Sequence, residues 1–582
     1  MIKLKDFKPP FYGSDFIVDV LKKFDFKYIT FNPGSTFRGL HDSIVNYGGN
    51  ESPEVILCNH EKIAVQMAHG YSKVAGKPLL VACHDTVGLL HATNAIYYAY
   101  IDRVPMVILG ASGPMDVTRR RPKIDWIHTV LINGNLLRGF VKWDDQPFTL
   151  ESVPESIIRA YRTATMEPKG PVYVCFDVAM QEDPTKATLE LPRIDRFISS
   201  SRIQGEPALL KKTAQLLLEA DLPVIVPEFS GRNPQTVESI IQLAELMAAP
   251  VYDLEGRFNF PNTHPMDLTG SDVIERADLI LMLDVRQPQR VLKKMNQATR
   301  KIEYIIRDDA KIVNIGLEEL RLTGLMQELG RIEPSDISIT ADTSIALPSI
   351  LSHCEKMLTD DRRVELRNRY ETITEEHNRL RVSWLEQSKR DWNSTPISPS
   401  RLASEIWSAV RSKDWAVTGK NLNGWIRKTW EMTNPQQFFG WSLGTATGIG
   451  LSLGVALAYK DTNTLVVDVQ ADGDLMYDCG ALWVGAHEKI PMLVVMYNNR
   501  AYGNSLRHQS TMAKQRGRNE GNAFIGTEID NPAPDFVQLA RSMGCKGIGP
   551  IEDPDGVRPA VEEAIELMEK HRVPVLIDAI CG

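Results

Sequence analysis

An acid and an amide, placed at the tips of two successive predicted strands, are the residues of this chain best suited to chemistry. The β-branched run Leu465 to Val469 leads into Ala471-Asp472-Gly473-Asp474; an amphipathic stretch follows, and a second apolar run, Met492 to Met496, ends in Asn498-Asn499. Short apolar runs separated by a helical stretch predict a β-α-β unit. Parallel sheets bind ligands beyond the carboxyl ends of their strands. Asp472 offers a carboxylate, Asn499 an amide carbonyl and Ala501 a backbone carbonyl. Mg²⁺ takes one or two such hard oxygens from protein and the rest from water and phosphate. Gly473 has no Cβ to keep a phosphate away, and a helix expected to start near Leu475 would aim its amides at the anion. The set predicts a holder for a divalent metal and a diphosphate, although Asp-Gly and Asn-Asn are each ordinary turns when taken singly.

Other elements must supply whatever that holder works with. The run Val55-Ile56-Leu57-Cys58 is followed by Asn59-His60-Glu61 and then by KIAVQMAHGYSKVAG. This reads as strand, turn and helix, with Glu61 in the first helical turn and Gly76 at the C-cap. Ile63, Ala64, Met67, Ala68 and Tyr71 form the expected buried face. An acid in a first turn also serves simply as a helix-dipole partner. Further blocks are Phe31-Asn32-Pro33-Gly34-Ser35, the stretch PLLVACHDTVGLLHATNAIYYAYIDRVPMVILGAS, and Phe439-Gly440-Trp441-Ser442-Leu443-Gly444 followed by TATGIGLSLGVALAYKD.

Together these blocks resemble the thiamine-diphosphate-dependent enzymes, in the branch of acetolactate synthase, benzoylformate decarboxylase and pyruvate decarboxylase. That family carries Gly-Asp-Gly, some two dozen residues, and then Asn-Asn. Ala471 here replaces the first glycine, and Asp474 stands where many members have a small residue. An extra carboxylate beside a diphosphate is unfavourable unless it points away. The resemblance implies thiamine diphosphate and Mg²⁺ as cofactors, with Asp472, Asn499 and Ala501 on the metal and Gly473, Asp474 and Asn499 near the diphosphate. Glu61 would hydrogen-bond the pyrimidine ring and favour the imino form that deprotonates thiazolium C2. The Trp441 carbonyl would accept from the pyrimidine amino group, and Leu443 would prop the cofactor in its bent form; a plain core role suits that leucine equally.

Composition bounds the rest. The 582 residues imply about three domains. A net charge of −8 argues against nucleic-acid binding. Seven scattered cysteines without a CxxC motif suggest reduced thiols rather than disulfides or zinc. With no apolar signal core at its start and no apolar run of membrane-spanning length, the chain is expected to be cytoplasmic and not membrane-bound. The expected class is α/β, with three doubly wound parallel-sheet domains: pyrimidine-binding at 1–183, central at 204–345 and diphosphate-binding at 400–582. Residues 181–200 read as a linker, and the charged stretch from Asp360 to Asp391 as a helical connector. A shared fold for the first and third units cannot be read from pattern alone.

The expected substrate is a small 2-oxo acid. The resemblance implies a C2-carbanion adduct, loss of carbon dioxide, and then release of an aldehyde or transfer of the acyl carbanion to a carbonyl acceptor. Ser35 and His84 fall where benzoylformate decarboxylase relatives have a serine and a histidine near the reacting centre; His60 and His91 are further candidates. His84 suits proton transfer near neutral pH. Asn504 to Asn522 reads as a polar, basic lid or a surface loop. Arg286 and Arg290 echo a flavin-binding stretch of acetolactate synthase without by themselves supporting FAD. Relatives form homodimers or homotetramers with the active site between subunits. An acetolactate synthase-like carboligase and a non-catalytic regulatory paralogue are the alternative readings.

Overall fold

In a computed structural model of the chain, the structure describes residues 11–185, 189–191, 193–197, 201–296, 299–321, 332–444 and 446–582. Three parallel sheets organise them. The first contains β1 (Tyr28–Phe31), β2 (Glu54–Leu57), β3 (Leu79–Cys83), β4 (Met106–Ser112), β5 (Asp144–Asp145) and β6 (Pro171–Asp177), in the order β2-β1-β3-β4-β6-β5. The second contains β7 (Pro223–Pro227), β8 (Leu279–Leu283), β9 (Lys311–Gly316) and β10 (Ile337–Thr340), in the order β10-β9-β8-β7. The third contains β11 (Trp415–Gly419), β12 (Leu465–Ala471), β13 (Leu493–Asn498), β14 (Lys546–Ile551) and β15 (Val575–Ile580), in the order β11-β12-β13-β15-β14. This is the α/β class with several parallel sheets that the alternation of apolar runs and helical periods predicts. Without the edge strand β2, the first sheet has the same order as the third, a kinship that the sequence pattern did not reveal.

The strands are apolar on both faces because both faces are covered. Leu79, Val81 and Cys83 of β3 point into one core, while Leu80 and Ala82 point into another, as the twofold strand period requires. In β12, Val466 joins the first of these cores, and Leu465, Val467 and Val469 join a third. One core is thus shared by the first and third sheets. Helix α1 (Glu61–Ala75) and helix α4 (Gly448–Tyr459) cross inside it at Gly70 and Gly454. A Cβ on Gly454 would meet the Met67 carbonyl at 2.0 Å, so only glycine lets the helices approach this closely.

The connector read at Asp360 to Asp391 is a single helix, α3 (Asp360–Ser388), which rests Leu366 and Ile373 on the core of the second sheet. Of the proposed linker 181–200, positions 186–188, 192 and 198–200 lie outside the described residues; Pro184–Thr185 pairs antiparallel with Phe11–Tyr12. Among the described residues no helix is long and apolar enough to cross a membrane.

Candidate functional site

The tips of β11, β12 and β13 open onto a cleft of about 600 Å³ whose lining includes Lys420, Asp472, Gly473, Asp474, Asn499 and Ala501. The β-α-β unit forms as the sequence predicts, with one difference. Its helix, α5 (Asp472–Asp478), begins at Asp472 and not near Leu475, so Asp472 and Asp474 both lie in the first turn. An acid there gains from the helix dipole and from the free amides of the turn.

The oxygens of Asp472 and Asn499 converge on one backbone group. The Ala501 N–H donates to Asp472 Oδ2 at 3.1 Å and to Asn499 Oδ1 at 3.3 Å. Two hard oxygens that share a single donor lie close enough to share a cation. Asp472 is 1 % exposed, and its carboxyl is pushed up to about 6 by burial, against the opposing pull of backbone N–H bonds from Gly473 and Ala501. A buried carboxylate held chiefly by amides beside a second oxygen donor is a donor set suited to Mg²⁺. The chemistry of these residues therefore fits the metal and the diphosphate.

Asp474 does not point away from the cleft's charge; it is paired. Lys420 Nζ lies 2.6 Å from Asp474 Oδ2, and the Ala446 N–H donates to Asp474 Oδ1 at 3.3 Å. Lys420, which the sequence reading passed over, cancels the repulsion expected of the extra acid. Its signal was available: it follows the run Trp415-Ala416-Val417-Thr418-Gly419, another strand tip of the same sheet. Gly473 has a use beyond phosphate approach, since a Cβ there would meet the Tyr502 ring at 2.8 Å. The segment read as a lid or loop, Asn504 to Asn522, is mostly helix, α6 (Gly503–Gln515), followed by a 3₁₀ turn at Glu520–Phe524. Its polar composition reflects an element with no buried residue, not a lack of structure.

The remaining candidates sit elsewhere. Glu61 opens α1 and is 5 % exposed; His60 caps the helix by accepting from the Lys62 N–H at 3.1 Å. A Cβ on Gly88 would meet Glu61 Oε1 at 2.6 Å, so the first turn of the helix that follows β3 (Asp85–Ile101) packs closely against the carboxylate. His91 Nδ1 lies 3.3 Å from Glu61 Oε2. Glu61 is not among the residues lining the cleft. The first and third units touch on either side of Glu61 within the chain: Asn59 Nδ2 donates to the Gly480 carbonyl at 3.1 Å, and Lys62 Nζ pairs with Asp478 Oδ1 at 2.8 Å, at the far end of α5.

His84 and Ser35 are brought to the same loops. His84 Nδ1 is 2.9 Å from the buried Thr36 Oγ1, while Ser35 is exposed beside it. Burial, and then the His128 ring at 5.1 Å, lowers the pKa of His84 and favours the neutral imidazole. Trp441 donates from its indole to Glu255 Oε2 at 3.3 Å. Leu443 is 37 % exposed and is not a core residue. Arg286 and Arg290 are turned onto Glu228, at 2.7 and 3.5 Å, with Arg286 also over the Phe229 ring.

Residues 11–129 match the N-terminal TPP-binding domain of thiamine pyrophosphate enzymes, and residues 420–579 match the C-terminal one. The chain is 24 % identical to a probable acetolactate synthase large subunit of Methanocaldococcus jannaschii, over 97 % of this chain and 92 % of that protein. It is also 24 % identical to a benzoylformate decarboxylase of Pseudomonas aeruginosa, covering 93 % and 96 %. A solved benzoylformate decarboxylase from Polynucleobacter necessarius has the same fold, with a TM-score of 0.76 at 19 % identity and 98 % of both chains covered. The chain thus carries both the N-terminal and the C-terminal TPP-binding domains of thiamine pyrophosphate enzymes.

Proposed function

We propose that this protein is a thiamine-diphosphate- and Mg²⁺-dependent enzyme that decarboxylates a 2-oxo acid, then releases an aldehyde or passes the acyl unit to a carbonyl acceptor. The observation that carries this reading is the convergence of Asp472 and Asn499 on the Ala501 N–H, in a cleft at the carboxyl ends of a parallel sheet. Asp472, Asn499 and the Ala501 carbonyl hold the metal, and Gly473 and Asn499 border the diphosphate. Lys420 holds Asp474 and adds a cation to the same wall. Once bound, thiamine diphosphate supplies the electron sink that lets a 2-oxo acid lose carbon dioxide.

Glu61 is the hydrogen-bonding partner of the pyrimidine. It lies outside the cleft of its own chain, so the working site takes Glu61 from a second copy, in a homodimer or homotetramer. Apolar surface on both halves supports that pairing. Leu90, Trp126 and Leu131 are 54 %, 84 % and 70 % exposed on the Glu61 unit, and Tyr477 and Ile525 are 53 % and 76 % exposed on the cleft unit. Clustered exposed apolar side chains, as in the run from Trp126 to Ile132, mark interaction surfaces. His84, neutral and fixed by Thr36, is placed for proton transfer, and Trp441, Leu443 and Ser35 border the reacting end.

Carbon dioxide release from a panel of 2-oxo acids, with product analysis, tests the proposal. Release that needs both cofactors supports it; no release, with no rise in melting temperature on adding thiamine diphosphate and Mg²⁺, sinks it. Hydroxy-ketone products without free aldehyde would assign the carboligase branch, and free aldehyde the decarboxylase branch; the chain is equally similar to an acetolactate synthase and to a benzoylformate decarboxylase.

A further inference from the structure

His60, Glu61 and His91 bring two imidazoles and a carboxylate together at the start of α1. Their ligand atoms all lie within 4.8 Å of one another. The closest approach is 3.3 Å, between His91 Nδ1 and Glu61 Oε2. The two imidazole rings stack with centroids 4.9 Å apart and 28° between planes. We propose that these three side chains form a site for a zinc-type ion, which occupies Glu61 and so excludes the cofactor. The exclusion of the cofactor, but not the metal site, rests on Glu61 being the pyrimidine's partner.

Three considerations favour a metal over a chance cluster. The donors are two nitrogens and one oxygen, the set that zinc takes when three protein ligands leave a fourth position for water. Tetrahedral zinc holds its ligand atoms roughly 3.3 Å apart at bond lengths of about 2.0–2.1 Å, so the Glu61–His91 pair already has the required separation. His60 and Glu61 are fixed by the start of α1, while His91 is exposed on α2 (Asp85–Ile101) and free to close the remaining gap by rotating. His60 presents a lone pair at Nδ1, engaged only by the Lys62 N–H at 3.1 Å. A metal competes with that single cap bond. Hard Mg²⁺ prefers the all-oxygen set at Asp472, so the two sites select different ions.

The test titrates cofactor-free protein with Zn²⁺ by calorimetry and with Co²⁺ by visible absorption. One ion per chain is expected at this site, with a tetrahedral Co²⁺ spectrum. His91→Asn and His60→Asn should each weaken it at least about tenfold. Asparagine at 60 preserves a helix cap, which keeps the second variant folded. Asp472→Asn should leave it unchanged, separating it from the Mg²⁺ site, and saturating thiamine diphosphate with Mg²⁺ should displace the ion. Zinc affinity unaffected by His91→Asn, or no zinc binding, overturns the site. Zinc bound through His91 in a chain that shows no thermal response to thiamine diphosphate and Mg²⁺ upholds the site and removes the cofactor reading instead.

Discussion

The first and third sheets share a strand order, and each carries a buried aspartate at the same place. Asp85 follows β3 and Asp472 follows β12, each the first residue of a helix, 0 % and 1 % exposed. Burial pushes both carboxyls up to about 6. Their neighbours differ. Asp85 is closed in by its own chain: the Thr86 N–H donates to it at 2.8 Å and Asn133 Nδ2 at 3.4 Å, with Asn133 itself fully buried. Asp472 faces a cleft, with Asn499 beside it and Lys420 across it. The same tip in the same topology is therefore closed over in one unit and open to the cleft in the other, where we propose that it holds a cation. Topology offers the position, and the side chains opposite it decide its use.

That contrast breaks most sharply on Asp472→Asn, which should abolish the rise in melting temperature with thiamine diphosphate and Mg²⁺, a loss of affinity of at least about 100-fold. Asp85→Asn should keep it. Equal losses in both would dissolve the distinction between the closed tip and the open one. Next in size is Glu61→Gln: carbon dioxide release should fall by about 10²–10⁴, while the thermal response to the cofactors persists. Retained turnover would take Glu61 out of the reaction.

Lys420→Met should weaken cofactor binding by about tenfold, because a carboxylate that loses its partner repels the diphosphate. Lys420→Met with Asp474→Ser should recover part of that loss. If the double variant binds no better than the single one, Lys420 acts on the anion directly rather than through Asp474.

The smallest effect is with pH. The carboxyl of Asp472 stands above its ordinary value of 3.8, so its contribution to the stability of the cofactor-free chain is present below that value and is lost as pH rises through about 6. Metal binding runs the other way, since it needs the deprotonated form. Mg²⁺-dependent cofactor affinity, measured by calorimetry, should fall by about tenfold per pH unit below 6 and level off above it. A flat profile from pH 5 to 7 would show that burial does not raise the Asp472 carboxyl in the cofactor-free chain.

The sequence by itself determined the local units. The strand tips at Asp472 and Asn499, the helix opened by Glu61 and the α/β class all follow from periodicity and from residues that act within some two dozen positions of each other. Chain-local patterns record such units because strand, turn and helix are each set by near neighbours. Where the reading failed, local signals were ambiguous. Asn504 to Asn522 read as a lid or a surface loop, and its helical state went unread because an exposed helix has no buried apolar stripe to betray it. The tertiary structure alone decided the rest: that Lys420 neutralises Asp474, that Asn133 closes over Asp85, that the first and third sheets match, and that Glu61 lies outside the cleft of its own chain. Each depends on residues distant in sequence: the two contacts form only when a sheet brings separate strand tips and loops side by side, and the placement of Glu61 only when α1 and α4 pack the first and third sheets onto one core.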